Sequence, residues 1–274
     1  MLKLGIVQGR LTQSPPGVVQ WFPQDSWGSE FSIASSLGID NIELVAEREH
    51  NANNPIWSGS GISKLSHLSA DHSVNIRTIC NDHIINYCIV DNINLLNQNL
   101  DLIKISKRLN CDKYLVPFFE ASELDICNYK SFINPIKIMA DACEEAGVSL
   151  CMETILNAKD LLFVLGEINH ENVKVVFDTG NRINFNHDLY HDIVMLGSKI
   201  EHIHIKDKNI KNENVLLGTG MVNFLEVFMA LKKINYNNSF TFETSRGTDP
   251  ISACRYNINF ANYFYSEAFG KNEL

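Results

Sequence analysis

The feature that most constrains the fold is a set of short apolar segments that recur along the whole chain. They are rich in Val, Ile and Phe and are mostly continuous, which is typical of parallel strands buried on both faces. Segments with the period of amphipathic helices lie between them. The apolar segments, called first to eighth in chain order, are 2–7, 41–45, 75–80, 113–118, 148–153, 173–178, 200–206 and 239–244.

The helical segments between these runs carry their own start and stop signals. Residues 92–110 have helical periodicity, and residues 134–147 end at Gly147, a natural helix stop directly before the fifth segment. Residues 222–235 are of the same kind, and Asn223 is a residue type that caps helix N-termini.

This alternation predicts a (β/α)8 TIM barrel, a single domain over residues 1–274. The structural alternative is a doubly wound sheet, which usually has fewer strands and often a glycine-rich phosphate loop after the first. Here the first segment continues into VQGRLTQSPPG, which is no G-x-G-x-x-G motif. No shift in composition suggests a domain boundary, so the barrel is favoured.

Composition narrows the class of protein. Hydrophobic residues make up 45% of the 274 residues, as in a folded, soluble protein. The net charge of −9 disfavours nucleic acid as a partner. No stretch approaches the roughly 18 apolar residues of a membrane span, and we expect a cytoplasmic protein with no membrane partner. The seven cysteines contain no C-x-x-C pair and are expected to be reduced thiols, mostly in the core.

Polar residues end the last four apolar segments. Glu153, Asp178, His204 and Glu243 fall in the fifth to the eighth segment, in that order. The carboxyl ends of the strands form the active rim of such a barrel. Three carboxylates and one imidazole suit one divalent cation such as Mn, Zn, Co or Mg, whose charge offsets their mutual repulsion. Taken singly, each of them could instead cap a helix or meet solvent.

The seventh segment, IEHIHIKDK, contains two histidines set two apart. His202 and His204 therefore share one face of a strand. We predict that His204 is the ligand and that His202, one strand repeat deeper, is a hydrogen-bonded interior residue. Lys206 faces the rim and could stabilise an enediolate, bind a phosphate or pair with a carboxylate.

Further candidates lie near the same rim. Glu43 and Glu120 are expected to have structural or supporting roles, and the backbone of residues 218–220 either binds phosphate or only forms a turn. Trp21, Phe22 and Trp27 could cover a sugar face or simply close over the barrel as a packed loop. The predicted substrate-binding residues are Asn181, Lys206, His83, Arg246 and Arg10.

At these residues the sequence resembles the sugar phosphate isomerase/epimerase group, the xylose isomerase-like TIM barrels. The resemblance covers nearly the whole chain and is strongest in METILN, VFDTGN, LGSKIEHIHIKD and the segment from LGTGMVNF to SFTFET. The H-x-x-D ending of the seventh segment and the following G-x-G-x-V-[DN]-F look most like L-ribulose-5-phosphate 3-epimerases and hexulose-6-phosphate isomerase-like proteins. The resemblance implies metal ligands at Glu153, Asp178, His204 and Glu243, with the two glutamates doubling as acid and base.

Two departures bear on the substrate. Endonuclease IV is similar in fold but needs further histidine ligands, one of them three residues after the sixth-segment aspartate, where this chain has Asn181. Its later D-x-H pair is also missing, which argues against a nuclease with three metal ions. The ETSRG stretch lacks the tryptophan expected after Glu243 in ribulose-phosphate epimerases.

The resemblance therefore implies a metal-dependent epimerase or isomerase of a ketose or ketose phosphate. Glu153 and Glu243 would move a carbon-bound proton through an enediolate that the metal stabilises. An endonuclease IV-like phosphodiesterase and a non-catalytic sugar-binding relative remain as alternatives. Barrels of this group are often dimers or tetramers, so a homo-oligomer is a further expectation.

Overall fold

The computed structural model describes residues 2–270, and its parallel strands form a closed barrel. Each barrel strand overlaps one of the eight apolar segments, so the predicted (β/α)8 fold is confirmed. Two further short strands, β8 and β9, pair antiparallel as a separate hairpin that the sequence did not predict. The strands are β1 Leu4–Val7, β2 Asn41–Ala46, β3 Asn75–Asn81, β4 Lys113–Pro117, β5 Ser149–Glu153, β6 Val173–Asp178, β7 Ile200–Ile205, β8 Asp207–Lys208, β9 Asn214–Val215 and β10 Phe240–Phe242.

Helices alternate with the barrel strands. They are α1 Ser29–Leu37, α2 Gly59–His72, α3 His83–Asn86, α4 Ile93–Arg108, α5 Tyr129–Ala146, α6 Ala158–Ile168, α7 Thr179–Asn184, α8 Leu189–Leu196, α9 Phe224–Lys233 and α10 Pro250–Phe269. Short 3-10 turns occur at Pro55–Trp57, Glu120–Ser122 and Gly197–Lys199.

The helix signals in the sequence mark real ends. Gly147 follows α5 in the left-handed conformation (φ 73°), which glycine adopts without steric cost, and Asn223 accepts from Glu226 N–H at the start of α9. The start of α5 was predicted too late: the helix begins at Tyr129 and contains Pro135. Proline there did not prevent a helix from forming around it.

The strand order around the barrel is β1-β10-β7-β6-β5-β4-β3-β2. The pairing of β6 with β7 shifts by one residue after Val175, and beyond this irregularity Asp178 lies opposite His204. On the other side of β7, Thr241 of β10 pairs with His204, so Glu243 emerges just above it. The register therefore gathers the ends of these strands around His204.

The core has two parts. The larger part holds the apolar faces between strands and helices, including the fully buried Phe31, Phe177 and Phe228. A small separate cluster of Cys80, Leu115, Cys151 and Val176 lies inside the barrel, because Cys151 and Val176 each precede a rim carboxylate by two residues. This packing leaves the barrel filled below the rim.

The cysteines are free thiols, and all but Cys88 and Cys127 are buried, as expected from the sequence. Among the described residues, no helix combines the length and the apolar character needed to cross a membrane.

Candidate active site

A cavity of 690 Å³ opens at the carboxyl ends of the strands. This volume is in the range of small-molecule binding sites. Glu153, His204, Lys206 and Glu243 contribute to its lining, together with residues of the loop that follows β1. The cavity therefore lies where the sequence predicted the active rim.

Four strand-end side chains meet in this cavity, and we call them the strand-end cluster: Glu153, Asp178, His204 and Glu243. The first three each offer an atom that lies within 4.8 Å of the atoms offered by the other two. His204 Nδ1 is 3.8 Å from Glu153 Oε2, 3.8 Å from Asp178 Oδ2 and 3.3 Å from Glu243 Oε2. The structure thus brings together the residues that were predicted as metal ligands.

Two atoms of the cluster can accept a further ligand. Asp178 Oδ2 and His204 Nδ1 are buried, and neither has a well-formed hydrogen bond with any residue that the structure describes, although charged partners lie close: Lys206 Nζ at 2.8 Å from Asp178 Oδ2 and Glu243 Oε2 at 3.3 Å from His204 Nδ1. A buried polar atom without a hydrogen bond is costly, and such atoms in native structures usually serve a bound water or ion. Carboxylate oxygens and an imidazole nitrogen are also a donor set that divalent cations accept. The residues present therefore fit a divalent metal.

Lys206 lies at the edge of the strand-end cluster. Its Nζ is 2.8 Å from Asp178 Oδ2 and 2.6 Å from Glu243 Oε2, so it pairs with carboxylates, one of its predicted roles. Its backbone N–H donates to Thr179 Oγ1, which donates to the Lys206 carbonyl at 2.6 Å. A Cβ at position 180 would lie 2.7 Å from Lys206 Cγ, so only glycine at this position leaves room for the Lys206 side chain in its observed place.

Glu43 supports His204 from inside the barrel. His204 Nε2 donates to Glu43 Oε1 at 3.0 Å, which leaves Nδ1 to face the other three members of the cluster. His202 Nε2 lies 2.8 Å from Glu43 Oε2, and the two histidine rings meet edge to face at 5.0 Å. A carboxylate behind a ligating histidine fixes the ring's orientation and tautomer. His202 is buried, as predicted, but its ring nitrogens make no well-formed hydrogen bond.

The surroundings of Glu153 and Glu243 shift the pKa values of their carboxyl groups in opposite directions. Burial and the negative charge of Asp178 raise the pKa of Glu153 to about 7. Burial would also raise the pKa of Glu243, but Lys206, His204 and Arg10 outweigh it and hold that pKa well below its usual range. Burial likewise disfavours the imidazolium of His204, yet Glu43 and Glu243 keep its pKa well above the ordinary value. A divalent cation would stabilise the same carboxylates in their charged form.

Besides Lys206, two of the predicted substrate-binding residues reach the cluster. Asn181 lines the cavity and donates from Nδ2 to Glu153 Oε1 at 2.8 Å. Arg10 is buried behind Glu243, whose Oε1 accepts from its NH2 at 3.0 Å. Both side chains therefore orient the proposed acid–base pair.

Two other predicted residues do not reach the cavity. His83 begins α3 and its Nδ1 donates to the Arg48 carbonyl at 2.6 Å. Arg246 donates to the carbonyls of Gly9 (2.7 Å) and Val19 (2.8 Å), so it holds the loop after β1. Neither side chain is part of the cavity lining. Direct substrate binding by His83 and Arg246 thus finds no geometric support.

The glycines of 218–220 have a different task from phosphate binding. The amides of Gly218 and Gly220 each donate to Asp207 Oδ2 at 2.9 Å, and Val222 N–H donates to Asp207 Oδ1 at 3.1 Å. The Asp207 carboxylate therefore accepts from the backbone amides that could otherwise have bound an anion. The segment forms the turn before α9, the plainer of the two predicted readings.

The loops after β2 and β3 supply lining residues that the sequence reading missed. Glu47, Arg48 and Glu49 follow β2, and Asp82 follows β3. Burial raises the pKa of Asp82 to about 6. A signal was present, because Glu47 directly follows β2 and Asp82 directly follows β3, but the charged run after β2 does not reveal which of its side chains turns inward. Glu120, after β4, is exposed and pairs with Arg48, as its structural prediction implied.

The aromatic residues of the loop after β1 lie in two different places. Trp21 and Phe22 line the cavity, whereas Trp27 is buried and carries Lys64 over its ring at 4.8 Å. The loop is anchored by Glu30 of α1, which accepts from the amides of Gly9 and Leu11. It thus presents an apolar wall above the strand-end cluster.

The family follows from comparison with known proteins. A family model described as xylose isomerase-like TIM barrel matches residues 31–262. The chain belongs to this family. An uncharacterised protein of Methanocaldococcus jannaschii is 25% identical over 126 residues, which span 42% of this chain and only 43% of that relative. The xylose isomerase-like assignment agrees with the resemblance found in the sequence.

Solved structures agree on the fold. The IolI protein with a bound zinc atom superimposes with a TM-score of 0.78 at 14% identity, covering 98% of this chain and 99% of that one. D-Psicose 3-epimerase from Clostridium cellulolyticum H10, solved with D-tagatose, gives a TM-score of 0.73 at 17% identity, covering 96% and 99%. At this identity the likeness establishes the xylose isomerase-like fold alone.

Proposed function

We propose that this protein is a divalent-metal-dependent epimerase or isomerase of a ketose. The observation that carries the proposal is the strand-end cluster, in which Glu153, Asp178, His204 and Glu243 converge from consecutive barrel strands. Asp178 Oδ2 and His204 Nδ1 are the buried atoms that a cation would satisfy. The sugar epimerase among the structural neighbours supports the same class of chemistry.

The four members of the strand-end cluster would hold the cation. When bound there, it would act as a Lewis acid on the carbonyl and the neighbouring hydroxyl oxygen of an open-chain ketose. Glu43 keeps the His204 ring turned so that Nδ1 faces the other ligands. Lys206 adds a positive charge beside Asp178 and Glu243, where it can stabilise negative charge that develops on the sugar oxygens.

Glu153 and Glu243 would transfer the proton. They rise from strands on opposite sides of His204, so they can approach a sugar carbon from different faces. Asn181 orients Glu153 and Arg10 orients Glu243, which limits each carboxylate to one direction of approach. Removal of a proton by one and delivery to the other face by its partner is epimerisation. Delivery to the adjacent carbon gives aldose–ketose isomerisation with the same residues.

The test combines metal content with proton exchange. Purified protein loaded with Mn²⁺ is expected to bind about one ion per chain, because we propose the strand-end cluster as the one tight site. It should then wash deuterium from D2O into a carbon-bound position of a ketose from a panel. Glu153→Gln should abolish the exchange while the circular dichroism spectrum stays unchanged. Full exchange after EDTA treatment and removal of metal would contradict the proposal.

The same experiment separates the other two classes of function. A phosphodiesterase of the endonuclease IV kind would bind two or three ions per chain and cleave abasic DNA. Asn181 and the net charge of −9 weigh against it. A sugar-binding relative without catalysis would bind a ketose and wash in no deuterium.

A further inference from the structure

The charges around the cavity are predominantly negative. Its lining contains the carboxylates of Glu43, Glu153 and Glu243 near the strand-end cluster and those of Glu47, Glu49 and Asp82 farther out. The lysine and arginine cations in the same lining are Lys206 and Arg48, while His204 lies between the carboxylates of Glu43 and Glu243. A ligand that carries a phosphate dianion needs positive charge or unpaired N–H groups to replace its water.

Both of these cations are already paired. Lys206 Nζ is within 2.8 Å of Asp178 Oδ2 and 2.6 Å of Glu243 Oε2. Arg48 makes two parallel hydrogen bonds with Glu120, at 2.9 Å and 2.7 Å. Each therefore offsets a carboxylate of the protein before any ligand arrives.

Most of the groups just outside the lining are engaged too. Arg246 donates from Nε and NH1 to the carbonyls of Gly9 and Val19, and Arg10 pairs with Glu243. The NH2 group of Arg246 is buried without a hydrogen bond, but Arg246 is not part of the lining. The amides of residues 218–220 hold the carboxylate of Asp207. Lys208, in the β8–β9 hairpin, donates to Asn212 Oδ1 at 2.6 Å and is not part of the lining.

The remaining lining suits an uncharged sugar. The carboxylates and the amide oxygen of Asn181 accept hydrogen bonds from hydroxyl groups, and a polyhydroxylated ligand offers many such groups. Val18, Trp21, Phe22 and Phe119 offer apolar surface for the C–H faces of such a ligand. A hydroxyl group does not suffer the repulsion from Glu47, Glu49 and Asp82 that a phosphate would meet.

From this pattern we propose that the cavity takes an unphosphorylated ketose and discriminates against the corresponding ketose phosphate. The choice of a ketose rests on the proposed function. The discrimination between uncharged and phosphorylated ligands rests on the charges of the lining.

The experiment compares matched pairs: D-fructose with fructose 6-phosphate, and D-ribulose with ribulose 5-phosphate. Binding to the Mn²⁺-loaded protein is measured by titration calorimetry, and exchange is measured as deuterium wash-in from D2O. We expect at least one uncharged ketose to bind at least tenfold more tightly than its phosphate and to undergo the faster exchange. Tighter binding and faster exchange of a phosphate would overturn the discrimination and leave the proposed epimerase or isomerase intact.

The other outcomes separate the two proposals. Preferential binding of an uncharged ketose without exchange supports the discrimination and counts against the catalytic proposal. Neither binding nor exchange with any member of the panel overturns both.

Salt gives an independent readout of the charges. Raising NaCl from about 20 mM to about 500 mM screens repulsion, so residual binding of a ketose phosphate should strengthen, while binding of the uncharged ketose should change less than twofold. A cationic subsite would give the opposite sign. Lys208→Gln, the matched control outside the lining, should leave both affinities unchanged. A tenfold loss of phosphate affinity in Lys208→Gln or in Arg48→Gln would identify a phosphate anchor and contradict the proposal.

Discussion

The two halves of the barrel rim differ in their charged strand-end residues, although Arg10 and Asp82 on the half formed by β1 to β4 are buried as well. On the half formed by β5, β6, β7 and β10, the charged side chains at the strand ends are withdrawn from water: Asp178 is 1% exposed and Lys206 5%. On the half formed by β1 to β4, Arg48 and Glu120 form an ion pair while 44% and 59% exposed. The carboxylates that we propose as catalytic are therefore distinguished by their convergence on His204, and not by their position at a strand end.

The difference has an energetic cause. An exposed ion pair is screened by water and contributes about 0–1 kcal/mol, so loss of the Arg48–Glu120 pair should lower the stability by no more than this amount. Buried carboxylates that face one another must be neutralised by protons, cationic side chains or a metal. Because burying several carboxylates together is unfavourable, their presence in one half of the rim indicates a functional site there.

The largest expected effect tests this contrast directly. Glu153→Gln keeps the shape of the side chain but cannot accept a proton, so we expect the exchange rate to fall by about 10³-fold or more. Glu120→Gln alters a strand-end glutamate on the other half and should leave the rate within about twofold, since it touches only an exposed pair. The measurement is deuterium wash-in with the ketose that exchanges fastest. Equal losses in both variants would refute the distinction between the halves.

A second prediction concerns a buried carboxylate on the other half. Burial raises the pKa of Glu30 from 4.5 to about 7, although the amides of Gly9 and Leu11 counteract it. The folded state therefore holds this proton more tightly than the unfolded state, and stability is lost as pH rises from 4.5 to about 7. Relative to Glu30→Gln, the wild type should lose on the order of 3 kcal/mol of unfolding free energy across this range.

Urea denaturation at a series of pH values measures this difference. A constant gap between wild type and Glu30→Gln from pH 4.5 to 8 would show that Glu30 does not titrate in this window. Exchange activity should not follow the same curve, because Glu30 contacts the loop and not the strand-end cluster.

The third prediction concerns the support of His204. Glu43→Gln should weaken Mn²⁺ binding by about 10–100-fold, because the amide no longer holds the imidazole as the carboxylate does. Titration calorimetry gives the affinity, and thermal unfolding of the metal-free variant checks the fold. Glu120→Gln again serves as the control. Unchanged affinity in a folded Glu43→Gln protein would remove Glu43 from the account of the metal site.

The smallest expected effect comes from a matched pair of glycines. Gly180→Ala places a Cβ 2.7 Å from Lys206 Cγ and must displace that side chain. We expect kcat to fall by about tenfold while the metal affinity is retained. This loss is smaller than that from removing a stabilising charge, because Lys206 is displaced and not deleted. Gly166→Ala in α6 meets no atom within 4 Å and should only stabilise the helix, by about 0.5–1 kcal/mol. Equal kcat values for the two variants would mean that the position of Lys206 does not matter.

The comparison of the halves also explains what could be read from the sequence. Continuous apolar runs predicted the barrel because strands buried on both faces leave few other patterns. Glu153, Asp178, His204 and Glu243 were visible because each ends or interrupts such a run. Glu47 escaped notice because it lies among other charged residues, and Asp82 because it lies between the polar Asn81 and His83. At both places only the path of the loop decides which side chain turns inward.

The misplaced candidates share a different cause. Arg246 was predicted to bind substrate, but its partners are the carbonyls of Gly9 and Val19, more than two hundred residues away in the chain. The sequence suggested that the amides of Gly218 and Gly220 were available to a phosphate, but in the fold both donate to Asp207. A donor's availability depends on its contacts across the fold, which sequence patterns do not encode.

The central claim is that the strand-end cluster is a divalent-metal site, and a crystal grown with Mn²⁺ tests it most directly. The account predicts one strong anomalous peak, about 2.0–2.4 Å from oxygen or nitrogen atoms of Glu153, Asp178, His204 and Glu243. Lys206 Nζ should move away from Asp178 Oδ2, since the cation takes over its charge. An empty cluster, or a peak only at the exposed group of Asp141, Glu144 and His170, would contradict it.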